Sequence, residues 1–384
     1  MKGHIRQRAE GSWTLYLPVG KYPNGRTKYD TRTIHGKRKD AERELARWIT
    51  EVESGGYVDE TKMTVAQYLE SWLLRVKPNV AGKTFERYAE IVHSHLIPAL
   101  GRYNLQRLTP LQVQDYYAQA SERGRKDGKG GLAPQTVVHH HRVLREALND
   151  AVQLGVLGRN PADRVKPPKV DRKEQRVLNK AEIEAVLKSA EGTVFYVPVV
   201  LAVTTGMRRG EILALRWEDV DFDAKVVHVR RSLEETKAGV SFKEPKTSKS
   251  RRAVNVPDMV LEVLAKHRDE QAEHRKLLGK DYWDEGLICA RPDGKPIVPK
   301  YISSNFYVVL ERAGLPRIPF HNLRHTHATA LFRQGAHPKV VQERLGHSTI
   351  VTTMDVYSHV LPSMQEQAAR MIGDFLAPSE GHAN

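Results

Sequence analysis

Four places along this 384-residue chain set polar groups among otherwise apolar residues: Arg208 with Glu211, Lys246, His321 with Arg324, and His347 followed by Tyr357. Arg208 and Glu211 are three apart at the start of an expected helix, so they share a face and the carboxylate can orient the guanidinium. Taken alone, such a pair reads more readily as a surface ion pair. His321 and Arg324 repeat the i, i+3 spacing in HNLRHTH, just after Pro319, where a helix can begin. Two arginines with a lysine and histidines suit a phosphodiester under attack. Its non-bridging oxygens gather charge, and arginine, always protonated, binds them bidentately. A tyrosine with an ordinary pKa of about 10 is a poor nucleophile alone, but a cationic site favours its phenolate and a nearby base can take its proton. The leaving 5′-oxygen needs a proton in return. Lys246, on a basic hairpin with Lys243 and Lys249, is suited to supply it, because neighbouring cations lower an ammonium's pKa. Phosphoryl transfer is the chemistry these residues suggest. The sequence has no carboxylate cluster of the kind that holds magnesium, no nucleotide-binding P-loop and no HExxH, so no cofactor and no metal is expected.

Sixty-one Lys and Arg against 46 Asp and Glu give a formal charge of +15, which points to a polyanionic partner. With 40% hydrophobic and 28% charged residues the chain reads as globular and soluble. Its single cysteine, Cys289, excludes an internal disulfide and any multi-cysteine zinc site, and fits a reducing cytoplasm. The N-terminus MKGHIRQRAEGSW has no apolar stretch behind its charges and does not read as a secretory signal. The longest apolar run, Phe195 to Val203, is broken by Pro198 and far short of the roughly 20 residues that span a bilayer.

Three segments must carry the polar groups. In the first, Trp13, Leu15, Leu17 and Val19 alternate with polar neighbours as in a strand. Asn24-Gly25 marks a turn, a second extended run covers Arg26 to Ile34, and Ala41, Leu45, Trp48, Ile49 and Val52 recur at helical spacing. Between Met1 and Trp48 there are twelve Lys and Arg against five Asp and Glu, either a solvated basic face or a sheet that binds DNA phosphates. Gly55-Gly56 begins a linker. The second segment is helical: Thr64 with Gln67 offers a capping box, Val65, Tyr68, Leu69, Trp72 and Leu73 form one apolar face, and further helices are predicted over Thr84–Leu96, Leu111–Ala120 and Pro134–Leu154. The run His139-His140-His141 cannot converge on one metal ion, since successive helical residues diverge by about 100°, and reads as surface or DNA-facing histidines. The loop GRKDGKGG from Gly124 to Gly131 lacks the spacing of a phosphate-binding loop and reads as a flexible basic connector. Pro167-Pro168 and the charges that follow mark a second linker. In the third segment an apolar helix over Tyr196–Thr204 ends at Gly206 and another helix begins at Arg209. Strands are expected over Lys225–Ser232 and Arg251–Val256, and helices dominate from Met259. The fold class is therefore multidomain, mainly α with small β-sheets (α+β).

TTGMRRGEILALRWEDVDF at Thr204–Phe222, PKTSKSRRAVNVP at Pro245–Pro257, HNLRHTHATALFRQG at His321–Gly335 and LGHSTIVTTMDVYSHV at Leu345–Val360 follow one another in this order. On these motifs the chain resembles the tyrosine site-specific recombinases, in particular the integrases of phages and integrative conjugative elements. The resemblance implies an arm-type DNA-binding domain over residues 1–60, a helical, SAM-like core-type DNA-binding domain over 64–165, and a catalytic domain with its C-terminal tail over 176–384. It makes Arg208 and Arg324 the phosphate clamp, with Glu211 supporting the first arginine. Lys246 becomes the general acid, His321 and His347 the hydrogen-bonding and proton-handling partners, and Tyr357 the nucleophile that forms a 3′-phosphotyrosine. It further implies recombination through a Holliday junction without metal or ATP, and a monomer in solution that becomes a homotetramer on double-stranded attachment sites. A directionality factor and a host DNA-bending protein are implied as further partners, with action on DNA in the cytoplasm of a bacterial host and no membrane role. The tail from Met364 to Leu376 either docks on a neighbouring subunit or packs on its own domain.

Asn322 stands where many members have Asp, His327 where Phe is common, and ten positions separate His347 from Tyr357 where some members have nine. Among Lys243, Lys246 and Lys249 only the PKTS context selects Lys246. Three rivals have distinct signatures. His325-Thr326-His327 with a tyrosine faintly resembles the HUH relaxases, which need a metal and a hydrophobic middle residue. A DNA-binding regulator on a catalytically dead scaffold would not depend on Tyr357. A chromosome-dimer resolvase of the Xer type would lack the roughly 60 N-terminal residues by resemblance to the two later segments alone.

Overall fold

A computed structural model describes residues 2–22, 24–53, 61–171, 175–244 and 251–357, with six helical residues between 369 and 376. The chain divides into two compact units, residues 1–172 and 173–384. No helix among the described residues is long and apolar enough to cross a membrane.

The first unit holds two hydrophobic cores. One lies under a three-stranded antiparallel sheet of β1 (His4–Ala9), β2 (Ser12–Lys21) and β3 (Thr27–His35), joined to α1 (Arg38–Glu53). The predicted alternation holds: Leu15 and Leu17 from β2 pack with Ala41, Leu45 and Trp48 from α1. Strand β1 has no counterpart in the sequence pattern, because HIRQRA carries only Ile5 and Ala9 as apolar side chains on an exposed edge and gives no periodic signal. The opposite side of the sheet carries a stack of His4 on Tyr16, with Tyr29 edge-on to His4.

The second core is helical, built from α2 (Val65–Val76), α3 (Gly82–Ile91), α4 (Ile97–Leu100), α5 (Pro110–Arg123) and α6 (Pro134–Gln153). Thr64 and Gln67 form the expected capping box, and Thr109 with Gln112 forms another before α5. The helix expected over Thr84–Leu96 is α3 continued by a π-turn at Val92–Leu96. In the Gly124–Gly131 loop Arg125 pairs with Asp127 through Nε and one terminal nitrogen at 3.0 and 2.6 Å, and Asp127 also accepts the amide of Lys129.

The histidine run departs from its surface reading. His140 is 1% exposed, 2.7 Å from the Tyr116 hydroxyl, with the His95 ring against it. The apolar stripe of α6 is wide enough to take His140 in with Val137 and Leu144. Burial, with His95, His139 and Arg87 nearby, pushes its pKa down to about 4. An unfolded histidine takes up a proton near 6.5, so between these values the unfolded state holds more protons and stability falls as the pH drops. Urea unfolding at pH 7.5 and pH 5 should show a loss of about 1–2 kcal/mol attributable to this group. That part of the pH slope should vanish in His140→Gln, and an unchanged slope would refute it.

In the second unit α7 (Lys180–Ala190) precedes α8 (Tyr196–Thr205), whose residues Val197–Ala202 are all buried, as befits a helix apolar on every side. The short α9 (Arg209–Leu213) follows, then two small sheets: β4 (Val220–Asp221), β5 (Val226–Val229) and β8 (Arg252–Asn255) form one, and β6 (Ser232–Thr236) with β7 (Gly239–Lys243) the other. The run expected as one strand over Lys225–Ser232 is thus split between two sheets. The remaining helices are α10 (Asp258–Leu278), α11 (Pro299–Arg312), α12 (Asn322–Arg333), α13 (Pro338–Leu345) and α14 (Ile350–Tyr357). The core runs from α8 through β5 and α10 to α11, and α12 packs on α8.

Candidate active site

Helix α8 ends at Gly206, whose φ of 67° is left-handed and whose missing side chain leaves room for the His327 ring. Two residues later Arg208 takes the N-cap position of α9 in an extended conformation, and Glu211 at the third helical position reaches back to it. Glu211 accepts the Arg208 amide on Oε2 and a guanidinium nitrogen on Oε1, both at 2.8 Å. This is not the surface pair that isolated spacing would suggest, since Glu211 is only 5% exposed. Its pKa is lowered: burial alone would raise it, but the guanidiniums of Arg252 and Arg208 outweigh that.

Arg324, 3% exposed on the buried face of α12, donates to the carbonyl of Gly206 at 2.7 Å. Arg208 donates at 3.1 Å to the carbonyl of Gly346, the residue that ends α13 and precedes His347. The His347 amide caps α13 through the Gln342 carbonyl, the Gln342 side chain returns a bond to the His347 carbonyl, and the His347 Nδ1 lies 2.8 Å from the Thr353 hydroxyl in α14. His321, at the start of α12, faces His325 edge-on with ring centroids 5.0 Å apart. Desolvation lowers the pKa of both His321 and His347, and the guanidiniums of Arg324 and Arg208 lower them further, so both rings are neutral near pH 7. A neutral imidazole beside two guanidiniums can give a hydrogen bond to a phosphate oxygen or accept a proton.

Four of the sequence-derived residues, Arg208, His321, Arg324 and His347, thus come together with Glu211. Lys246 lies outside the described residues, as does Lys249. Lys243 is described, and it is ion-paired with Glu234. Tyr357 ends α14, one helical turn beyond Thr353. Of the tail from Met364, Ile372 and Leu376 are helical and exposed, while Met364, Ala368 and Met371 lie outside the described residues.

Two of the three departures from the family pattern have local reasons. Asn322 donates its side-chain nitrogen to the Arg176 carbonyl at 3.0 Å, a bond an ionised Asp cannot give. His327 is 2.9 Å from the Val203 carbonyl through Nδ1 and accepts from Arg344 through Nε2. Arg344 and Arg252 are the members of this network that motif spacing did not single out. Arg344 also donates to the Thr204 carbonyl at 2.8 Å, and Arg252 binds Glu211 with its side chain 7% exposed. For Arg252 a signal existed, because strand alternation puts it on the same side of β8 as the buried Val254.

Residues 176–364 match the profile described as the phage integrase family, and residues 64–119 match that of the phage integrase N-terminal SAM-like domain. The chain belongs to the phage integrase family of tyrosine recombinases. Such an enzyme cuts and rejoins DNA. A XerC-like tyrosine recombinase of Caldanaerobacter subterraneus subsp. tengcongensis is 28% identical over 383 residues, covering 94% of this chain and 96% of that protein. The ICEBs1 integrase of Bacillus subtilis is 26% identical, covering 97% of this recombinase and 100% of that protein. The fold is that of the Tn1549 transposon integrase solved with a circular intermediate DNA, with a TM-score of 0.68 at 22% identity over 80% of this chain and 99% of that one. A lambda integrase dimer bound to a COC′ core site superposes with a TM-score of 0.55 at 18% identity, covering 92% and 93%.

Proposed function

We propose that this recombinase is the integrase of a mobile element and that Arg208, Lys246, His321, Arg324, His347 and Tyr357 perform its chemistry. The observation that carries the reading is the anchoring of the two arginines. Arg324 is bonded to Gly206, two residues before Arg208, and Arg208 is bonded to Gly346, next to His347. Two fixed guanidiniums and two neutral imidazoles in one cluster suit a phosphodiester whose equatorial oxygens gain charge.

In the proposed reaction the Tyr357 oxygen, losing its proton to a neighbouring imidazole, attacks the scissile phosphorus. The bond to the 5′-oxygen breaks, Lys246 protonates that oxygen, and the DNA is held by a 3′-phosphotyrosine. The reverse reaction with the 5′-hydroxyl of another strand rejoins the DNA and restores the phenol. Because one phosphodiester is exchanged for another, neither ATP nor metal is required, and the guanidiniums supply the charge a metal would otherwise bring. Strand exchange passes through a Holliday junction on a homotetramer, as in the lambda integrase tetramer bound to such a junction. The partners are double-stranded attachment sites in the host cytoplasm, with a directionality factor and a host bending protein. The basic sheet over 1–60 binds arm sites and the helical bundle over 64–165 binds core sites.

Nicked duplexes from the DNA flanking the gene, designed to trap cleavage, provide the test. The wild type should form a covalent adduct on a 3′-phosphate, resistant to EDTA and absent in Tyr357→Phe. A metal-dependent 5′ adduct would instead establish a relaxase mechanism. Function intact in Tyr357→Phe would establish a regulator.

A further inference from the structure

The carboxylate of Glu211 is shared. Besides its two bonds from Arg208, it accepts from Arg252 twice, at 2.8 Å on Oε2 and 3.3 Å on Oε1. Arg252 comes from β8, which follows Lys246 in the sequence, and is as buried as the carboxylate, with side-chain exposures of 7% and 6%. Its Nε donates to the Arg344 carbonyl at 2.8 Å, in the last turn of α13, two residues before the Gly346 carbonyl that Arg208 holds. Gly346 itself sits at φ 68°, and a Cβ there would come within 2.8 Å of the Arg252 guanidinium.

We propose that Arg252 is a positioning residue for the phosphate clamp: by taking half of the Glu211 carboxylate it keeps Arg208 electropositive, and by holding α13 it fixes His347 beside it. This rests on the reading of Arg208 as a phosphate ligand. The charge balance is the core of the argument. Arg208 and Glu211 alone sum to zero, so the carboxylate that orients the guanidinium also cancels the charge a phosphate needs. With Arg252 added the triad carries +1, and the excess lies on Arg208, whose side chain is 41% exposed while the other two are buried. The pull of Arg252 on Glu211 exceeds that of Arg208, in keeping with the more deeply buried pair, since the shortest contact of each is 2.8 Å.

The test uses the full-length chain and nicked duplexes on which the wild type forms its Tyr357-dependent adduct. Arg252→Met should cut single-turnover adduct formation by about 100-fold at saturating DNA, the size of effect seen when one transition-state charge contact is lost, with DNA affinity within about threefold. Arg252→Lys, which keeps the charge but not the bidentate geometry, should fall between the two. Two readouts separate this role from a purely architectural one. A methylphosphonate at the scissile position removes the charge that Arg208 meets, so the wild-type advantage over Arg252→Met should shrink at least tenfold on that substrate. The pair Glu211→Gln with Arg252→Met restores +1 and should recover at least tenfold over Arg252→Met alone. A single variant matching wild type, or a deficit equal on both substrates with no recovery in the pair, overturns the proposal. Should Arg252→Met fail to fold, the same comparison with Arg252→Gln, which removes the charge but keeps a polar side chain, decides it. A wild-type chain forming no 3′ adduct would overturn the recombinase reading instead, so the two failures are distinct.

Discussion

Arg324→Lys is expected to reduce single-turnover formation of the 3′ adduct by about 10²–10³-fold while leaving DNA binding nearly unchanged. Arg324 is 3% exposed and one of its terminal nitrogens is committed to the Gly206 carbonyl at 2.7 Å. A planar guanidinium can make that bond and still present further N–H groups, whereas an ammonium is a point charge on a flexible stem. Burial is also costlier for the more strongly hydrated ammonium, so the lysine would turn towards water instead of the Gly206 carbonyl. Overall affinity comes from many contacts between basic side chains and phosphates, each contributing about −0.9 to the slope of log K against log salt. Losing one should change that slope by no more than about one unit. Rapid-quench cleavage beside gel-shift titrations at several salt concentrations would check both halves. A cleavage rate within about threefold of wild type would remove Arg324 from the clamp.

Much of this site could be read from residue types and spacing, because its parts lie at ends of elements that announce themselves. Gly206 after an apolar run, Pro319 before HNLRHTH and Gly346 after a short amphipathic run mark the boundaries at which Arg208, His321 and His347 sit. The helical bundle was similarly open, since Thr64–Gln67 and Thr109–Gln112 are local capping signals whose hydrogen bonds form within four residues. What sequence withheld was non-local. Strand β1 pairs with β2 although only Ile5 and Ala9 among its six residues are apolar, and the pairing is visible only in the register that sets His4 opposite Tyr16. The Arg252–Glu211 contact spans 41 residues and the Arg344–Thr204 contact 140, distances over which no periodicity speaks. The burial of His140 is hidden from the sequence for a related reason. Polar type outweighed its place on a wide apolar stripe, and its partner Tyr116 lies 24 residues away.

The non-local bonds also explain why the site should respond sharply to a small change behind it. Gly206→Ala is expected to destabilise the catalytic unit by about 2–5 kcal/mol and to depress cleavage further than the loss of folded protein accounts for. The left-handed φ of 67° costs a non-glycine residue about 1–2 kcal/mol. A Cβ there would lie 2.5 Å from the His327 ring and 2.7 Å from Leu345. Relieving that overlap adds about 1–3 kcal/mol. Neither neighbour can yield freely: His327 is held between the Val203 carbonyl and Arg344, and Leu345 is fully buried before Gly346. The backbone of Gly206 must therefore shift, and its carbonyl is the acceptor that orients Arg324, with Arg208 two residues on. Gly192→Ala supplies the comparison. That glycine has nearly the same φ, 69°, with nothing within 4 Å of an added Cβ, so it should lose only the conformational share, about 1–2 kcal/mol, and keep its cleavage rate per folded molecule. Thermal melts and adduct yields normalised to folded protein distinguish the two variants. Equal behaviour would mean that the packing of His327 and Leu345 against Gly206 does not govern where the arginines stand.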